Sequence, residues 1–321
     1  MKRATQMLLS SLIAATPLCC ALPCGAPVNP PVPATRDVQF RSGDITLSGT
    51  LVMPSNTVAA VVWVDGGGQT RRDVPSALAL ARDGVATLTY DKRGVGKSGG
   101  VYAGPEVGTN NIDPRNLDLL GGDASAAVTK LAHEISSAQT PVGLLGASQA
   151  GWIIPLAAVR SPDVRFMILW SGPLVTTLEQ LRFQFLTNGR ADFWDHHSEA
   201  EVREHIRSDP NRYVFVATDP VDSLRKLSIP GLWLYGGYDV NVPVSLSIER
   251  LKALAARGKP FEYRLFPDSG HHLPFDQALS TSLDWLMKTV IQGRHGTISQ
   301  GHVRGPSLKA AVHEVGSGSG G

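Results

Sequence analysis

Four blocks of the chain are short, apolar and non-alternating: Ala59 to Val64, Val85 to Tyr90, Val142 to Leu145 and Phe166 to Trp170. Blocks of this length, rich in Val, Leu and Ile and without period-two alternation, predict strands covered on both faces. Helical stretches separate them, at Val74 to Arg82, Leu117 to Ile135 and Gln149 to Val159. Strand and helix alternating in this way predict a parallel sheet with helices on both sides. Two further strands, Gly231 to Tyr235 and Glu262 to Phe266, come with helices at Val244 to Ala256 and Phe275 to Ile291. Ahead of all these, Val38 to Phe40 and Ile45 to Met53 alternate around Ser42-Gly43-Asp44, a hairpin signal expected at a sheet edge. The pattern predicts about eight strands in one α/β domain over residues 37–292.

The rhythm breaks between Pro173 and Lys226, a segment longer than one crossover helix needs. It carries Phe183, Phe185, Trp194 and Tyr213 among many charges and reads as two or three helices inserted above the sheet, a cap over residues 173–226. Met1, Lys2 and Arg3 precede an apolar run from Met7 to Ala15 that is too short to span a bilayer, so residues 1–21 read as a signal peptide. Residues 22–36 then read as a Pro-rich linker, and residues 293–321 as a disordered tail ending in an appended Gly/Ser linker. These features imply a secreted or periplasmic protein with no stable membrane association after cleavage.

Composition narrows the chemistry. With 18% charged residues, 42% hydrophobic residues and a net charge of +2, the chain has no basic run to track a phosphate backbone, so nucleic acid is excluded as a partner. All 3 cysteines, Cys19, Cys20 and Cys24, fall near the amino terminus. Neither a disulfide framework nor a thiolate metal site is available to the body, and catalysis must use oxygen and imidazole.

Open parallel sheets bind ligands at the carboxyl ends of their strands. Ser148 lies just past one of them, in G-A-S-Q-A-G from Gly146 to Gly151, where small flanks let a strand reverse sharply into a helix. An ordinary buried strand and turn would read the same in isolation. Asp65-Gly66-Gly67-Gly68-Gln69 follows another strand, and its amides can face a developing oxyanion together with the amide of Gln149; Gly67 is the expected loop donor. Asp239 follows a third strand, in Y-G-G-Y-D-V-N-V-P, and His271 follows a fourth after Pro267-Asp268-Ser269-Gly270. His271 is preferred to His272 because it stands directly after the small-residue turn. Asp239 is preferred to Asp219 and Asp222, which precede their strand.

Two other motifs fail on inspection. Asp91 to Ser98 ends in G-K-S, but Asp91 occupies the position where a phosphate-cradling loop needs glycine. Gly94, Gly96 and Gly99 fit a dinucleotide fingerprint, yet Gly, Pro and Asn follow where a helix should open. A structural role remains for this turn, with Asp91 and Arg93 fixing it by local ion pairing.

Together, Y-D-K-R-G-V-G-K-S at Tyr90 to Ser98, the elbow at Ser148 and Y-G-G-Y-D-V-N-V-P at Tyr235 to Pro243 resemble the α/β-hydrolase superfamily, in particular its secreted esterase and acyl-thioesterase-like members. That resemblance implies a serine hydrolase acting on small acyl substrates, with nucleophile, acid and base at Ser148, Asp239 and His271 and with no metal or organic cofactor. The chain departs from the family pattern at Ala150, where G-x-S-x-G has glycine, and at Asp65, where many relatives carry histidine.

Overall fold

The computed structural model describes residues 32–102, 111–135, 137–210 and 216–293. The expected signal peptide, most of the linker, the tail after Gly293 and Tyr213 lie outside these residues. Eight strands form one sheet in the order β1-β2-β4-β3-β5-β6-β7-β8. They are β1 Ala34–Ser42, β2 Ile45–Met53, β3 Ala59–Val64, β4 Val85–Tyr90, β5 Val142–Ala147, β6 Val164–Trp170, β7 Gly231–Gly236 and β8 Phe261–Phe266. β1 and β2 form the antiparallel edge hairpin, β2 joins β4 antiparallel, and all remaining pairings are parallel.

The hairpin reaches back into the expected linker. Ala34 pairs with Met53 and Arg36 with Leu51, and the Arg36 guanidinium reaches Glu134, so ladder bonds and an ion pair hold residues whose proline neighbours suggested spacer. At the other end, the helix expected over Phe275 to Ile291 is an α-helix only as far as Trp285 and continues as a wider π turn over Leu286–Gln292.

Strand alternation divides the core. Ala60, Val62 and Val64 of β3 face one apolar layer, and Ala59, Val61 and Trp63 face the other. The first layer receives Leu117, Leu120, Ala124 and Val128 of α2 (Pro114–Glu134), Trp152 and Ile154 of α3 (Ala150–Arg160) and Leu251 and Leu254 of the helix Val244–Ala255. The second receives Leu80 of α1 (Val74–Arg82) and Leu279 and Trp285 of the helix Phe275–Trp285. Burying both faces removes apolar surface from water at about 25 cal/mol per Å², which explains why β3, β6 and β7 are so apolar.

Between β6 and β7 stand α4 (Thr177–Thr187), α5 (Phe193–His196), α6 (Glu199–Ser208) and α7 (Pro220–Leu224). Capping boxes at Thr176 with Glu179 and at Ser198 with Glu201 fix the starts of α4 and α6. Phe183, Phe193, Val202 and Ile206 bury against one another, with Val240 and Leu246 packed beside them. α7 departs from the expected cap: Val221 and Leu224 join the main core. The helices α8 (Val244–Ala255) and α9 (Phe275–Trp285) complete the order.

The turn after β4 differs from the ion pairing expected for it. Asp91 bonds Arg72, at 3.1 Å from Nε and 2.9 Å from Nη2, whereas Arg93 makes a two-pronged pair with buried Asp123 at 2.6 and 2.7 Å. Each therefore finds its partner on another element, Asp91 in the loop before α1 and Arg93 on α2. Burial pushes the Asp91 carboxyl up, but hydrogen bonds from Arg72 and from the Lys97 amide outweigh it and hold the group at about 2. The same carboxylate fills the turn, since a Cβ on Gly96 would stand 2.4 Å from Asp91 Oδ2. Gly96 thus packs directly on a protein carboxylate.

Candidate active site

The strand order places the site. β3 lies between β4 and β5, so the direction of winding reverses there and the loops after β3 and β5 leave the sheet to opposite faces, opening a crevice. Val64 pairs with Gly146, which brings the Asp65–Gln69 loop and the Ser148 turn to the same level.

Ser148 adopts φ of 53°, a left-handed backbone that costs a non-glycine residue about 1–3 kcal/mol. Crowding around it enforces that conformation. A Cβ on Gly146 would lie 2.3 Å from Val64 O and 2.7 Å from Ala150 Cβ, and one on Gly151 would lie 2.6 Å from Pro173. Alanine at position 150 is therefore accommodated because position 146 has no side chain. Ser148 N donates to Trp170 O at 2.9 Å, and Gly151 N returns a bond to Ser148 O at 2.8 Å. The Ser148 side chain is left at the mouth of the crevice.

His271 Nε2 stands 3.0 Å from Ser148 Oγ, and its Nδ1 stands 2.8 Å from Asp239 Oδ2. An ionised carboxylate only accepts, so Nδ1–H donates to Asp239 and Nε2 is left to accept from the Ser148 hydroxyl. Asp239 is 1% exposed. Its other oxygen, Oδ1, accepts the amides of Asn241 and Val242 at 2.7 and 2.9 Å, which fixes the carboxylate plane. The inserted helices reach this turn from outside: Trp194 Nε1 donates to Asp239 O at 3.0 Å and Thr187 Oγ1 to Val240 O at 2.7 Å. His272 is exposed, its ring edge-on to His271 with centroids 5.5 Å apart, and it does not reach Ser148. Asp219 caps α7 through Val221 N and Asp222 pairs with Arg225, both away from the crevice.

Facing Ser148 is the Asp65–Gln69 loop. Gly68 N donates to Asn111 Oδ1 at 2.7 Å. Among the described residues the amides of Gly66, Gly67 and Gln149 meet no acceptor; Gly66 and Gly67 line the crevice, and Gln149 is 3% exposed beside it. Asp65 accepts from Trp63 Nε1 at 2.8 Å, and burial pushes its carboxyl up to about 6. Beneath the loop lies buried Lys92, bonded to Gly66 O, Gly68 O and Gln149 Oε1; burial pushes its ammonium down to about 8, against the pull of Asp65. Sequence reasoning singled out the neighbours of Lys92 and passed over it. It also missed Asn111, Tyr102 and Ser171, whose hydroxyl holds His271 O at 2.7 Å. For Ser171 the only signal was its place directly after a strand.

The crevice encloses about 340 Å³. Ser148, His271 and Gly67 line it together with the apolar Trp170, Leu273 and Phe275. Trp170 packs edge-on to both Trp63 and Phe275, at 5.6 and 5.7 Å between centroids, which stiffens the apolar wall. No described residue of 173–226 lines this space, which departs from a cap over the site; the inserted helices buttress the Asp239 turn instead. Among the described residues no three of His, Cys, Asp and Glu come together to hold a metal ion.

A family model described as serine aminopeptidase matches residues 55–197. Acylamino-acid-releasing enzyme 2 of Oryza sativa subsp. japonica is 27% identical over 192 residues, 53% of this chain and 23% of that enzyme. An acylaminoacyl peptidase of Pyrococcus horikoshii superposes with a TM-score of 0.58 at 15% identity, over 81% of this chain and 42% of its own. An esterase of Pyrococcus furiosus superposes with a TM-score of 0.57 at 16% identity, over 79% of this chain and 91% of its own. The chain thus spans about a quarter of the rice relative and less than half of the horikoshii peptidase. With its mostly parallel eight-stranded sheet, its serine elbow at the winding reversal and these likenesses, the chain has the α/β-hydrolase fold, and over residues 55–197 it is similar to a serine aminopeptidase family.

Proposed function

We propose that the protein is a serine-dependent carboxylic ester hydrolase working through an acyl-enzyme. The observation that carries this reading is the imidazole of His271, hydrogen-bonded to Asp239 on one nitrogen and to Ser148 on the other. Ser148 Oγ attacks the acyl carbonyl while its proton passes to His271 Nε2, and Asp239 stabilises the imidazolium that forms. The carbonyl oxygen, now an oxyanion, accepts from the amides of Gly67 and Gln149; losing one such donor costs about 2.7–4 kcal/mol in the transition state. His271 returns the proton to the departing alkoxide, and water then attacks the acyl-enzyme by the same route. The wall of Trp170, Leu273 and Phe275 suits a small uncharged acyl group.

A second reading, hydrolysis of aminoacyl amides on the same triad, is favoured by the serine aminopeptidase match and the acylamino-acid-releasing relative. A thioester would follow the same path, with a thiolate as leaving group.

A fluorophosphonate probe should label one serine per chain, and Ser148→Ala should lose both label and turnover. Labelling of the Ser148→Ala protein would overturn the assignment. An unreactive wild type would favour a binding protein that keeps the fold. Rates on matched p-nitrophenyl esters, thioesters and aminoacyl p-nitroanilides rank the substrate classes, and a series of rising acyl length measures the wall. We further propose export to the periplasm or beyond, from the basic and apolar amino-terminal run, with cell fractionation as its check.

A further inference from the structure

Lys92 follows directly on β4 and is 2% exposed. Taking an ammonium out of water costs several kcal/mol unless its protons are matched and its charge is answered. All its donors are matched: Nζ bonds Gly66 O, Gly68 O at 3.1 Å and Gln149 Oε1 at 3.0 Å, beside the ring of Tyr102 at 5.6 Å. None of these acceptors is an anion, so Lys92 is not half of an ordinary ion pair. The identity of the acceptors is what matters. Gly66 O and Gly68 O flank Gly67, which lines the crevice and whose amide meets no acceptor among the described residues. Gln149 follows Ser148 directly, its amide meets no acceptor among the described residues, and its side chain is held from the far side by Asn111 O at 2.5 Å and Tyr102 Oη at 3.0 Å.

We propose that Lys92 is a positioning residue for the oxyanion hole, clamping the Gly66–Gly68 loop and Gln149 to one ammonium so that two amides on different strand ends aim at a single point. This inference rests on the serine-hydrolase reading. It assigns work to a side chain that never touches substrate. An amide pair held in place before the reaction stabilises the tetrahedral oxyanion and contributes little to binding the planar ester. Loss of the clamp therefore lowers kcat and leaves KM in place, since displacement by about 1 Å costs about 10²-fold in rate.

The test compares wild type, Lys92→Met and Lys92→Gln by kcat and KM on a p-nitrophenyl ester, by the inhibition constant of a trifluoromethyl ketone, and by melting temperature. The ketone adds Ser148 to form a tetrahedral oxyanion and so reports on the hole directly. Lys92→Met should lower kcat about 10²-fold with KM within about twofold, and should weaken the ketone by a similar factor. Lys92→Gln, which keeps a donor, should recover part of both losses. Unchanged kcat and ketone affinity in folded Lys92→Met, or a loss confined to KM, would overturn the inference. If Lys92→Met does not fold, Gln149→Met decides: it keeps the amide and Lys92 and removes the Gln149 arm of the clamp together with that side chain's bonds to Asn111 O and Tyr102 Oη, with about a tenfold loss of kcat expected, and no loss overturning the inference. A wild type that neither turns over ester nor takes the fluorophosphonate label refutes the serine-hydrolase reading and this inference with it. An active wild type alongside an equally active Lys92→Met refutes the inference alone.

Discussion

The Ser148 elbow and the Asp65–Gln69 loop sit side by side at the ends of adjacent strands, yet they are held in opposite ways. The elbow is fixed by its own sterics: Gly146 passes Val64 O and Ala150 with no room for a Cβ, Gly151 passes Pro173, and Ser148 at φ 53° is the conformation left over. The loop is open by comparison, since a Cβ on Gly68 would meet nothing within 4 Å. Its shape is imposed by Lys92, Asn111, Tyr102 and Gln149, which reach it from other elements. A self-fixed turn suits a nucleophile, whose geometry must survive covalent chemistry. A turn held by distant polar partners suits an oxyanion donor, whose aim can be adjusted without disturbing the fold.

Substitutions should separate the two regions by what they damage. The largest effect is expected where Asp239 holds the histidine that meets the elbow. In Asp239→Asn the Asn241 and Val242 amides retain the carbonyl oxygen, so the new NH₂ faces His271 Nδ1 and forces its proton to Nε2, where it cannot accept from Ser148. A fall in kcat of about 10⁴-fold, roughly 5.5 kcal/mol, is expected with the melting temperature nearly unchanged. Next, Gly146→Ala should cost about 3 kcal/mol of stability by urea titration, because the methyl group has only backbone to push against. An unaffected Gly146→Ala protein would show that the elbow is less self-fixed than its contacts imply.

For the loop, Asn111→Ala releases Gly68 N and Tyr102 Oη. A loss in kcat of about tenfold, roughly 1.4 kcal/mol, with normal urea stability would mark the loop as tunable; a stability loss like that of Gly146→Ala would erase the contrast. The smallest effect concerns Asp65, whose folded pKa of about 6 lies above its ordinary 3.8 through burial. A raised carboxyl pKa means that the folded state resists ionisation, so stability falls as pH rises from about 4 to 6 and the loss is complete above 6. Asp65→Asn keeps an acceptor for Trp63 Nε1 and removes that loss. Its melting temperature should exceed wild type at pH 7.5, by less than burial alone would give because Lys92 loses the Asp65 charge, and match it near pH 4.

What could be read along the chain follows the same division. Ser148, Asp239 and His271 were each visible as a polar residue in a small-residue turn just past an apolar block, because strand ends and tight turns are written in neighbouring residues. The Tyr90 to Ser98 turn was visible as a turn, but its partners were not. Asp91 finds Arg72, Arg93 finds Asp123 across 30 residues, and Lys92 finds Gln149 across 57. The inserted helices were visible as an interruption, whereas their seat on the Asp239 turn depends on Trp194 and Thr187 meeting backbone oxygens far along the chain.

By itself the sequence determined the alternation of strand and helix, the parallel sheet and the three turns that carry polar chemistry, since each depends on side-chain size and period over a few residues. Only the tertiary structure decided which turns face one another and which buried charge serves which loop. The reason is the order of the strands: β3 lies between β4 and β5, so Lys92, Gly67 and Gln149 become neighbours through lateral pairing that no local pattern records.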